Sequence, residues 1–533
     1  MSKGLFDALY QARMPFALID TRERRDHVDG HWFGSTNIPL SCLSRSITGL
    51  VPDREFAIHL LNWQDRASAA AAALLARLGY RNVTIHPTTR PSGYGGGFVK
   101  GEYVWSKAFG EVVAHGVDFP EVTPEDYMKD HQGAPLFDVR PTAEYRQFTI
   151  PASRSLPNSL LLANLAALKR IGGTALLHCA GRTRSIIGAC TLKAAGYDGD
   201  FAVFRGGTQA WQLAGYEREH DASRLFVTGH DDAGHDGAGN DGAGEVGRFL
   251  DRRQIPCNAL SADLLADFAA SHDDHLMFDV SDDAATGQAL CHGITRISGT
   301  NLIQQTDRSI ARYHVPVVLF DRGSASRAAF AAFWLGAMGF EVKIVRLDAA
   351  VPEASGANPE TLPAAGIPAL SAGQLVERRQ QRAVLIDLRP SPAYAARHLA
   401  GSEWRNISAM LNAAPDSGPD SGPDCGPDKG PDNGPVTLVC ETRAAAEEAA
   451  DMLARQGWRI DGFYCWQDSG LPPELLRSAA IDRPVDQSAL FAGRHHGNLQ
   501  DSRDYLAWEE ELPGQIDRAV HDLWHRNILA ALS

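Results

Sequence analysis

The sequence predicts an α/β fold made of four tandem units, each a parallel sheet flanked by helices. A strand-ending motif with aspartate in its third position occurs four times, in residues 18–22, 136–140, 277–281 and 385–389. Each motif is followed by a second apolar strand and an alanine-rich helix, and the four helices end at Gly79-Tyr80, Gly196-Tyr197, Gly339-Phe340 and Gly457-Trp458. Strands that alternate with helices in this way are typical of parallel sheets buried on both faces.

The chain length and these repeats set the expected domain organisation. A chain of 533 residues, 44% of them hydrophobic, is long enough for several domains of ordinary size. The predicted segments are a first unit at 1–115, a second at 116–220, a flexible linker at 221–244, a third unit at 245–352, a fourth at 365–475 and a helical extension at 476–533. A Pro-Asp-x-Gly repeat predicts a disordered insertion at 413–435, because proline at that frequency prevents helices and interior strands.

Composition excludes several classes of protein. The formal charge of −14 argues against nucleic-acid binding, which needs clustered cations. No stretch of about twenty apolar residues is present, and the amino terminus lacks a signal peptide's apolar region. The eight cysteines show no Cys-x-x-Cys spacing, so neither a zinc site nor a disulfide framework is indicated. We therefore expect a cytoplasmic protein with no metal, no other cofactor and no membrane partner.

The most informative stretch is the loop Cys179-Ala180-Gly181-Arg182-Thr183-Arg184. A short apolar run before it predicts a buried strand, and the pattern from Ser185 to Ala195 predicts a helix that ends at Gly196. A cysteine in such a loop receives backbone N–H groups and the positive end of the helix dipole, and the two arginines add positive charge. Each effect favours the thiolate, which is the nucleophile. Cys179 is the candidate reactive residue; the alternative is a buried structural thiol, as we expect for Cys190.

This loop resembles the active-site loop of rhodaneses, the thiosulfate and related sulfurtransferases. Its surroundings match the same family over about one hundred residues: the strand motif at 136–140 with Glu144-Tyr145 lies upstream, and a strand with Gly206-Gly207 and Ala210-Trp211 lies downstream. One departure is the segment Phe148-Thr149-Ile150-Pro151-Ala152, where the family usually carries Gly-His-Ile-Pro-Gly. The resemblance implies four rhodanese-like domains, of which the second is catalytic.

The resemblance also implies a reaction. Cys179 attacks the outer sulfur of thiosulfate or another sulfane donor, such as a persulfide, and carries the sulfur as a persulfide to cyanide or a thiol. The residues expected to bind the substrate are Ala180, Gly181, Arg182, Thr183, Arg184, Ser185 and Arg140. Among them, Arg182 and Arg184 would hold the donor's oxygens, and Ser185 would cap the helix. A protein that accepts the sulfur is a further candidate partner.

The corresponding loops of the other units lack most of these features. The first, at 60–66, has no cysteine, and the third carries Asp321 where a nucleophile would stand. The fourth has Cys440, but Glu441 follows it, and the glycine, the second arginine and the serine are missing. We expect the first and third units to be inactive and Cys440 to be inactive toward thiosulfate, with a secondary role as a persulfide acceptor left open.

Two other functions remain as alternatives. Phosphatases and arsenate reductases related to rhodaneses use a cysteine at this position, but their arginine follows it by six residues. Here Arg184 follows Cys179 by five, and the sixth residue is Ser185. The second alternative is a non-catalytic sulfur carrier or interaction scaffold.

Overall fold

Four sheets with parallel central strands organise the described part of the chain. The computed structural model describes residues 4–226, 240–290, 293–351, 366–413, 435–468 and 470–532, and the sheets lie within these ranges. Residues 227–239 of the predicted linker and 414–434 of the predicted insertion lie outside the described residues. The predicted α/β class, with parallel strands flanked by helices, is confirmed. Among the described helices none is long and apolar enough to cross a membrane.

The first sheet contains four parallel strands in the order β3-β1-β4-β5, and β2 and β6 form a separate antiparallel ribbon. Its elements are α1 Leu5–Gln11, β1 Ala17–Asp20, α2 Arg24–Val28, β2 His31–Trp32, β3 Thr36–Asn37, α3 Leu43–Leu50, β4 Ile58–Asn62, α4 Arg66–Arg77, β5 Val83–Pro87, β6 Phe98–Val99 and α5 Val104–Gly116.

The second sheet has five parallel strands in the order β7-β11-β10-β8-β9. Its elements are β7 Glu121–Val122, α6 Pro124–Asp130, β8 Leu136–Asp138, α7 Thr142–Gln147, β9 Arg154–Ser155, α8 Leu165–Ile171, β10 Ala175–His178, α9 Thr183–Ala195, β11 Phe201–Phe204 and α10 Gly207–Leu213. Phe226, inside the predicted linker, still belongs to this unit, because its N–H bonds to Ser155 and its ring packs on Phe137.

The third sheet has six strands in the order β12-β17-β16-β13-β15-β14, and its edge strand β14 is antiparallel. Its elements are α11 Asn240–Arg253, β12 Cys257–Leu260, α12 Leu265–Ala270, β13 Leu276–Asp279, β14 Thr286–Ala289, β15 Ile294–Ile297, α13 Gly299–Gln304, α14 Thr306–Ser309, β16 Val317–Asp321, α15 Ser326–Ala337 and β17 Val342–Leu347. Helix α11 begins at Asn240, so the end of the predicted flexible linker is helical; the glycines there did not prevent a helix whose later residues Val246 and Phe249 are buried.

The fourth sheet has four parallel strands in the order β20-β18-β21-β22. Its elements are α16 Ala372–Gln380, β18 Val384–Asp387, α17 Ser391–Ala396, β19 His398–Leu399, β20 Glu403–Trp404, α18 Ile407–Asn412, β21 Val436–Cys440, α19 Arg443–Ala454 and β22 Ile460–Cys465. Strand β23, Leu476–Arg477, pairs with β19, so the first residues of the predicted extension remain attached to this unit. The extension then forms α20 Leu499–Glu511 and α21 Arg518–Leu532.

The repeated strand motif has one structural role in all four units. The aspartate that ends the strand accepts a hydrogen bond of 3.0–3.1 Å from the backbone N–H two residues later, at Asp20, Asp138, Asp279 and Asp387. In the second unit Arg140 also pairs with Asp138 at 2.7 Å. Burial opposes ionisation of Asp138, but Arg140 outweighs it and holds the pKa of that carboxyl well below its usual range. The motif therefore fixes the turn at the carboxyl end of each first strand.

Aromatic side chains join the units around one core. Trp105 of α5, Trp334 of α15 and Trp524 of α21 are fully buried. The rings of Trp105 and Trp524 lie 5.0 Å apart, and Phe109 contacts both Trp334 and Trp524. Rings of this size contribute much buried apolar area. Trp334 Nε1 also donates to Thr191 of α9 at 2.9 Å. This packing therefore joins α5 and the extension to the third unit and, through Trp334, to the second unit, where the candidate site lies.

Candidate active site

Cys179 directly follows β10 and precedes α9, as the sequence predicts. The residue is 2% exposed, and its Sγ lies 3.6 Å from the Ser185 hydroxyl. Helix α9 begins at Thr183, two residues earlier than expected, so Ser185 lies in its first turn. The Ser185 hydroxyl donates to the Arg182 carbonyl at 2.8 Å and does not cap the helix. The prediction that Ser185 caps the helix was therefore wrong, although its hydroxyl lies beside the sulfur of Cys179.

Strand register identifies the equivalent position in every unit. In each sheet one residue of the loop-bearing strand pairs with the motif aspartate, and these residues are Leu61, His178, Phe320 and Val439. The next residue along each chain is Asn62, Cys179, Asp321 or Cys440. The positions that were compared from sequence are thus structurally equivalent, and a sulfur stands at two of them.

The helix that follows this position differs between the units. A side-chain oxygen accepts from a first-turn N–H in three of them: Asp65 from Ser68 at 2.8 Å, Asp321 from Ala328 at 2.9 Å and Thr442 from Ala445 at 3.2 Å. No described side chain caps α9. Uncapped N–H groups at a helix N-terminus favour a bound anion. Each of the other three helices thus has one first-turn N–H satisfied by a side chain, whereas no described side chain does this for α9.

The three arginines of the predicted site have different surroundings. Arg184 is bonded to Glu144 and to Gln304, each at 2.7 Å. Arg140 is buried against Asp138 and its ring neighbour Phe148. Arg182 instead extends toward α5 and α20, where it pairs with Glu111 and Glu510 at 3.1 Å. Arg140 and Arg184 border the cavity described below, and Arg182 does not.

Two glycines are required by close approaches to the loop. Gly207 has φ +52°, and a Cβ there would lie 2.2 Å from the Cys179 carbonyl oxygen. That approach lets the Thr208 N–H donate to the same carbonyl at 3.0 Å. At Gly181 a Cβ would lie 2.6 Å from Glu509 Oε2 and 2.8 Å from a Tyr505 ring carbon. Both positions exclude a larger side chain on steric grounds.

A cavity of about 400 Å³ lies beside the loop. Ala180, Arg140, Glu144, Phe148 and Arg184 of the second unit line one part of it. The remaining lining comes from distant segments and includes Lys107, Gln304, Phe491, Arg494, His495, Tyr505 and Trp508. Sequence reasoning missed these residues. The sequence predicted only a helical extension over 476–533, and no local pattern connected it to the loop.

A buried polar cluster joins α5, α20 and the loop. Lys107 Nζ donates to the Tyr505 hydroxyl at 2.5 Å and to Glu509, and Tyr505 donates to Glu509 at 2.7 Å. Thr183 Oγ1 donates to the same carboxylate at 3.3 Å. Burial and the negative charge of Glu509 raise the pKa of Tyr505 to about 12. Burial alone would lower the pKa of Lys107, but Glu509 raises it, so that the ammonium is retained.

Comparisons with known proteins agree with this arrangement. Residues 123–214 match the family described as Rhodanese-like domain. The chain contains a rhodanese-like domain. The crystal structure of thiosulfate sulfurtransferase from Pseudomonas aeruginosa is 25% identical, and the match covers 97% of each chain with a TM-score of 0.77. The α/β fold is thus shared over nearly the whole length.

Other solved structures match shorter parts of the chain. A rhodanese-related protein from Thermoplasma volcanium is 24% identical, covering 19% of this chain and 98% of its own, with a TM-score of 0.18. The 3-mercaptopyruvate sulfotransferase SseA from Escherichia coli is 15% identical, covering 43% of this chain and 98% of its own, with a TM-score of 0.21. No curated protein sequence matches the chain.

Burial raises the thiol pKa of Cys440 and Cys190, two cysteines that lie outside the loop of Cys179. Burial, followed by the charge of Asp387, raises the pKa of the Cys440 thiol well above its usual range. Its loop is one residue shorter, because α19 begins three residues after Cys440 and α9 begins four after Cys179. Burial raises the pKa of Cys190, inside α9, to about 12. Both environments disfavour a thiolate.

Proposed function

We propose that this protein is a sulfurtransferase of the rhodanese type, acting in the cytoplasm, that moves a sulfane sulfur from thiosulfate or a similar donor to a thiol or cyanide through Cys179. The observation that carries the proposal is the placement of Cys179 before an uncapped helix N-terminus, which is unlike the three equivalent loops. The 25% identity to a thiosulfate sulfurtransferase over 97% of the chain supports the same reaction.

In the first step the Cys179 thiolate attacks the outer sulfur of thiosulfate. A new S–S bond forms, the bond between the outer and central sulfur atoms breaks, and its electron pair leaves with sulfite. Arg140 and Arg184, which line the cavity, would donate charge-assisted hydrogen bonds to the oxygens of the dianion. The N–H groups of Ala180, Gly181 and the first turn of α9 would stabilise the persulfide anion on Cys179.

In the second step the acceptor takes the outer sulfur from Cys179. A thiolate or cyanide attacks that sulfur, the S–S bond to Sγ breaks, and its electron pair returns to Cys179 as the thiolate. The Ser185 hydroxyl, 3.6 Å from Sγ, would contact the sulfur between the two steps. Arg182 acts indirectly in this proposal, because its ion pairs with Glu111 and Glu510 tie the loop to α5 and α20.

We infer that all four units are rhodanese-like domains, with the second alone active toward thiosulfate. The loop of the third unit supports this division of roles, because its residues serve packing. Ser326 donates to the Ser159 carbonyl of the second unit at 3.0 Å, and Arg327 pairs with Asp283 at 2.7 Å. Asp321 spends both carboxylate oxygens on backbone N–H groups. Such a loop stabilises the neighbouring domain and offers no sulfur nucleophile.

The proposal is tested by the mass of the protein after brief exposure to thiosulfate. We expect a gain of one sulfur atom on the peptide that holds Cys179, and its loss after cyanide is added. Cys179→Ser should abolish both the gain and thiocyanate formation with the fold unchanged, while Cys440→Ser should retain both. Sulfur on Cys440, or turnover by Cys179→Ser, would overturn the assignment.

A further inference from the structure

The charges that line the cavity are balanced with one exception. Five lining groups have an oppositely charged partner, in the four pairs Glu102–Arg24, Lys107–Glu509, Arg140–Asp138 and Glu144–Arg184. Arg494 also lines the cavity, and no described carboxylate pairs with it. The cavity therefore carries one excess positive charge, and it comes from the C-terminal extension.

The guanidinium of Arg494 is held in place without being neutralised. One NH donates to the Phe491 carbonyl at 2.7 Å, and the group lies 4.5 Å over the ring of Tyr505. Its Nε is buried and has no hydrogen-bond partner among the described residues. Among the described residues only Nη1 has acceptors, the Leu490 and Phe491 carbonyls, so a carboxylate in the cavity would supply an acceptor for other N–H groups of this guanidinium. Neighbouring His495 adds no charge at neutral pH, because burial and Arg494 lower its pKa to about 4.

Three aromatic side chains form an apolar part of a wall that is otherwise largely polar. Phe148, Phe491 and Trp508 line the cavity beside the cation. Cavities of about 300–1,000 Å³ with aromatic walls and a few polar groups are typical sites for organic molecules, and this one has a volume of about 400 Å³. Thiosulfate has no apolar part that these rings could contact. The wall and the unpaired cation together favour an organic anion.

We propose that Arg494 binds the carboxylate of a small organic thiol, and that this thiol is the acceptor that takes sulfur from Cys179. The inference rests on the proposed function for the identity of the reaction. The thiolate of the bound acceptor attacks the outer sulfur of the Cys179 persulfide, the S–S bond to Sγ breaks, and the acceptor leaves as a persulfide. Arg494 acts as a specificity residue on the acceptor and touches no reacting sulfur atom.

Two matched thiols test this assignment in the full-length protein. With thiosulfate as donor, kcat/KM is measured for mercaptopropionate, which carries a carboxylate, and for mercaptopropanol, which is neutral. Because the two half-reactions are separate, kcat/KM for an acceptor reports the second step alone. We expect Arg494→Gln to lower the value for mercaptopropionate about tenfold or more, the usual effect of losing a hydrogen bond to a charged group. The value for mercaptopropanol should change less than about twofold.

Controls separate the outcomes. Arg494→Lys should retain part of the preference, and Arg503→Gln, an exposed arginine of α20, should retain all of it. Equal losses for the two thiols, a loss confined to thiosulfate, or no loss would each overturn the role of Arg494. If Cys179 gains no sulfur at all, the proposed function fails. Calorimetry then still decides whether Arg494 binds the carboxylate, because it compares the binding of mercaptopropionate to Cys179→Ser with its binding to Cys179→Ser that also carries Arg494→Gln.

Discussion

Gly207 shows at the scale of one residue how the site is shaped by backbone contact. Gly207 lies against the carbonyl group of Cys179. The Thr208 N–H donates to the Cys179 carbonyl, and the Gln209 N–H donates to the Ala180 carbonyl, each at 3.0 Å. Since a side chain at position 207 would occupy the space of the Cys179 carbonyl, glycine is what allows α10 to fix the loop from behind. The glycine pair noted in the sequence thus has a steric explanation.

Gly207→Ala should therefore displace the loop. The new Cβ would lie 2.2 Å from a backbone oxygen at φ +52°, and a misplacement of about 1 Å can lower a rate about a hundredfold. We expect a fall of that order in thiosulfate–cyanide turnover and a loss of about 1–3 kcal/mol in the free energy of unfolding. Gly336→Ala is the control: it is an exposed helix position with open space, and it should keep full activity. Wild-type turnover by Gly207→Ala would contradict the argument.

At the scale of elements, the ends of strands and helices differ in how well sequence predicts them. The motif aspartates and the helix-ending glycines are local signals, and Gly79, Gly196, Gly339 and Gly457 all have φ between +71° and +99°. The start of α9 was predicted two residues late, because a loop without a side-chain cap leaves no local mark where the helix begins. The same missing cap, visible only in the structure, distinguishes the loop of Cys179.

The contact between α14 and α5 makes a prediction about pH. Asp307 of α14 accepts from the Trp105 N–H at 3.3 Å, and burial raises the pKa of this carboxyl to about 6. The native state then binds the proton more tightly than the unfolded chain, so the stabilisation is complete below about pH 4 and is lost as the pH rises to about 6. Asp307→Asn should remove this loss while still accepting from Trp105.

We expect Asp307→Asn to be more stable than wild type by about 1–3 kcal/mol at pH 7 to 8 and to show no such gain at pH 4. Denaturant midpoints measured across this pH range check it. Asp251→Asn, an exposed position on α11, should shift no midpoint by more than about 0.5 kcal/mol. An equal gain in stability for Asp307→Asn at pH 4 and at pH 8 would show that the Asp307 carboxyl does not titrate between these pH values.

At the scale of the whole molecule, the site is assembled from segments far apart in sequence. The rhodanese-like domain, with Cys179, Arg140, Gly181 and Gly207, could be predicted because its residues follow local motifs. Lys107, Gln304, Arg494 and the residues of α20 could not, because they reach the loop only through packing of the units around Trp105, Trp334 and Trp524. Sequence reasoning therefore found the candidate reactive residue and missed most of the cavity wall.

The ion pair between Lys107 and Glu509 tests whether this assembly acts as one body. Its side chains are 8% and 0% exposed, and it joins α5 to the extension across Gly181. Glu509→Gln would leave a buried ammonium without its carboxylate, which should cost about 3–5 kcal/mol in the free energy of unfolding. Since Thr183 also donates to Glu509, persulfide formation on Cys179 should slow in the same variant.

A double-mutant cycle then isolates the pair. The double variant Lys107→Met with Glu509→Leu removes both charges and keeps apolar volume. Its loss in the free energy of unfolding should be smaller, by more than about 1 kcal/mol, than the sum of the losses for Lys107→Met alone and Glu509→Leu alone. The exposed pair of Arg81 and Glu55, at 2.6 Å, is the matched control, and Glu55→Gln should change stability by less than about 1 kcal/mol and leave the rate unchanged. If the single losses in the free energy of unfolding are additive, α5 and the extension hold the loop independently. If the losses in both stability and rate are coupled, the first unit and the extension together position Cys179 of the second unit.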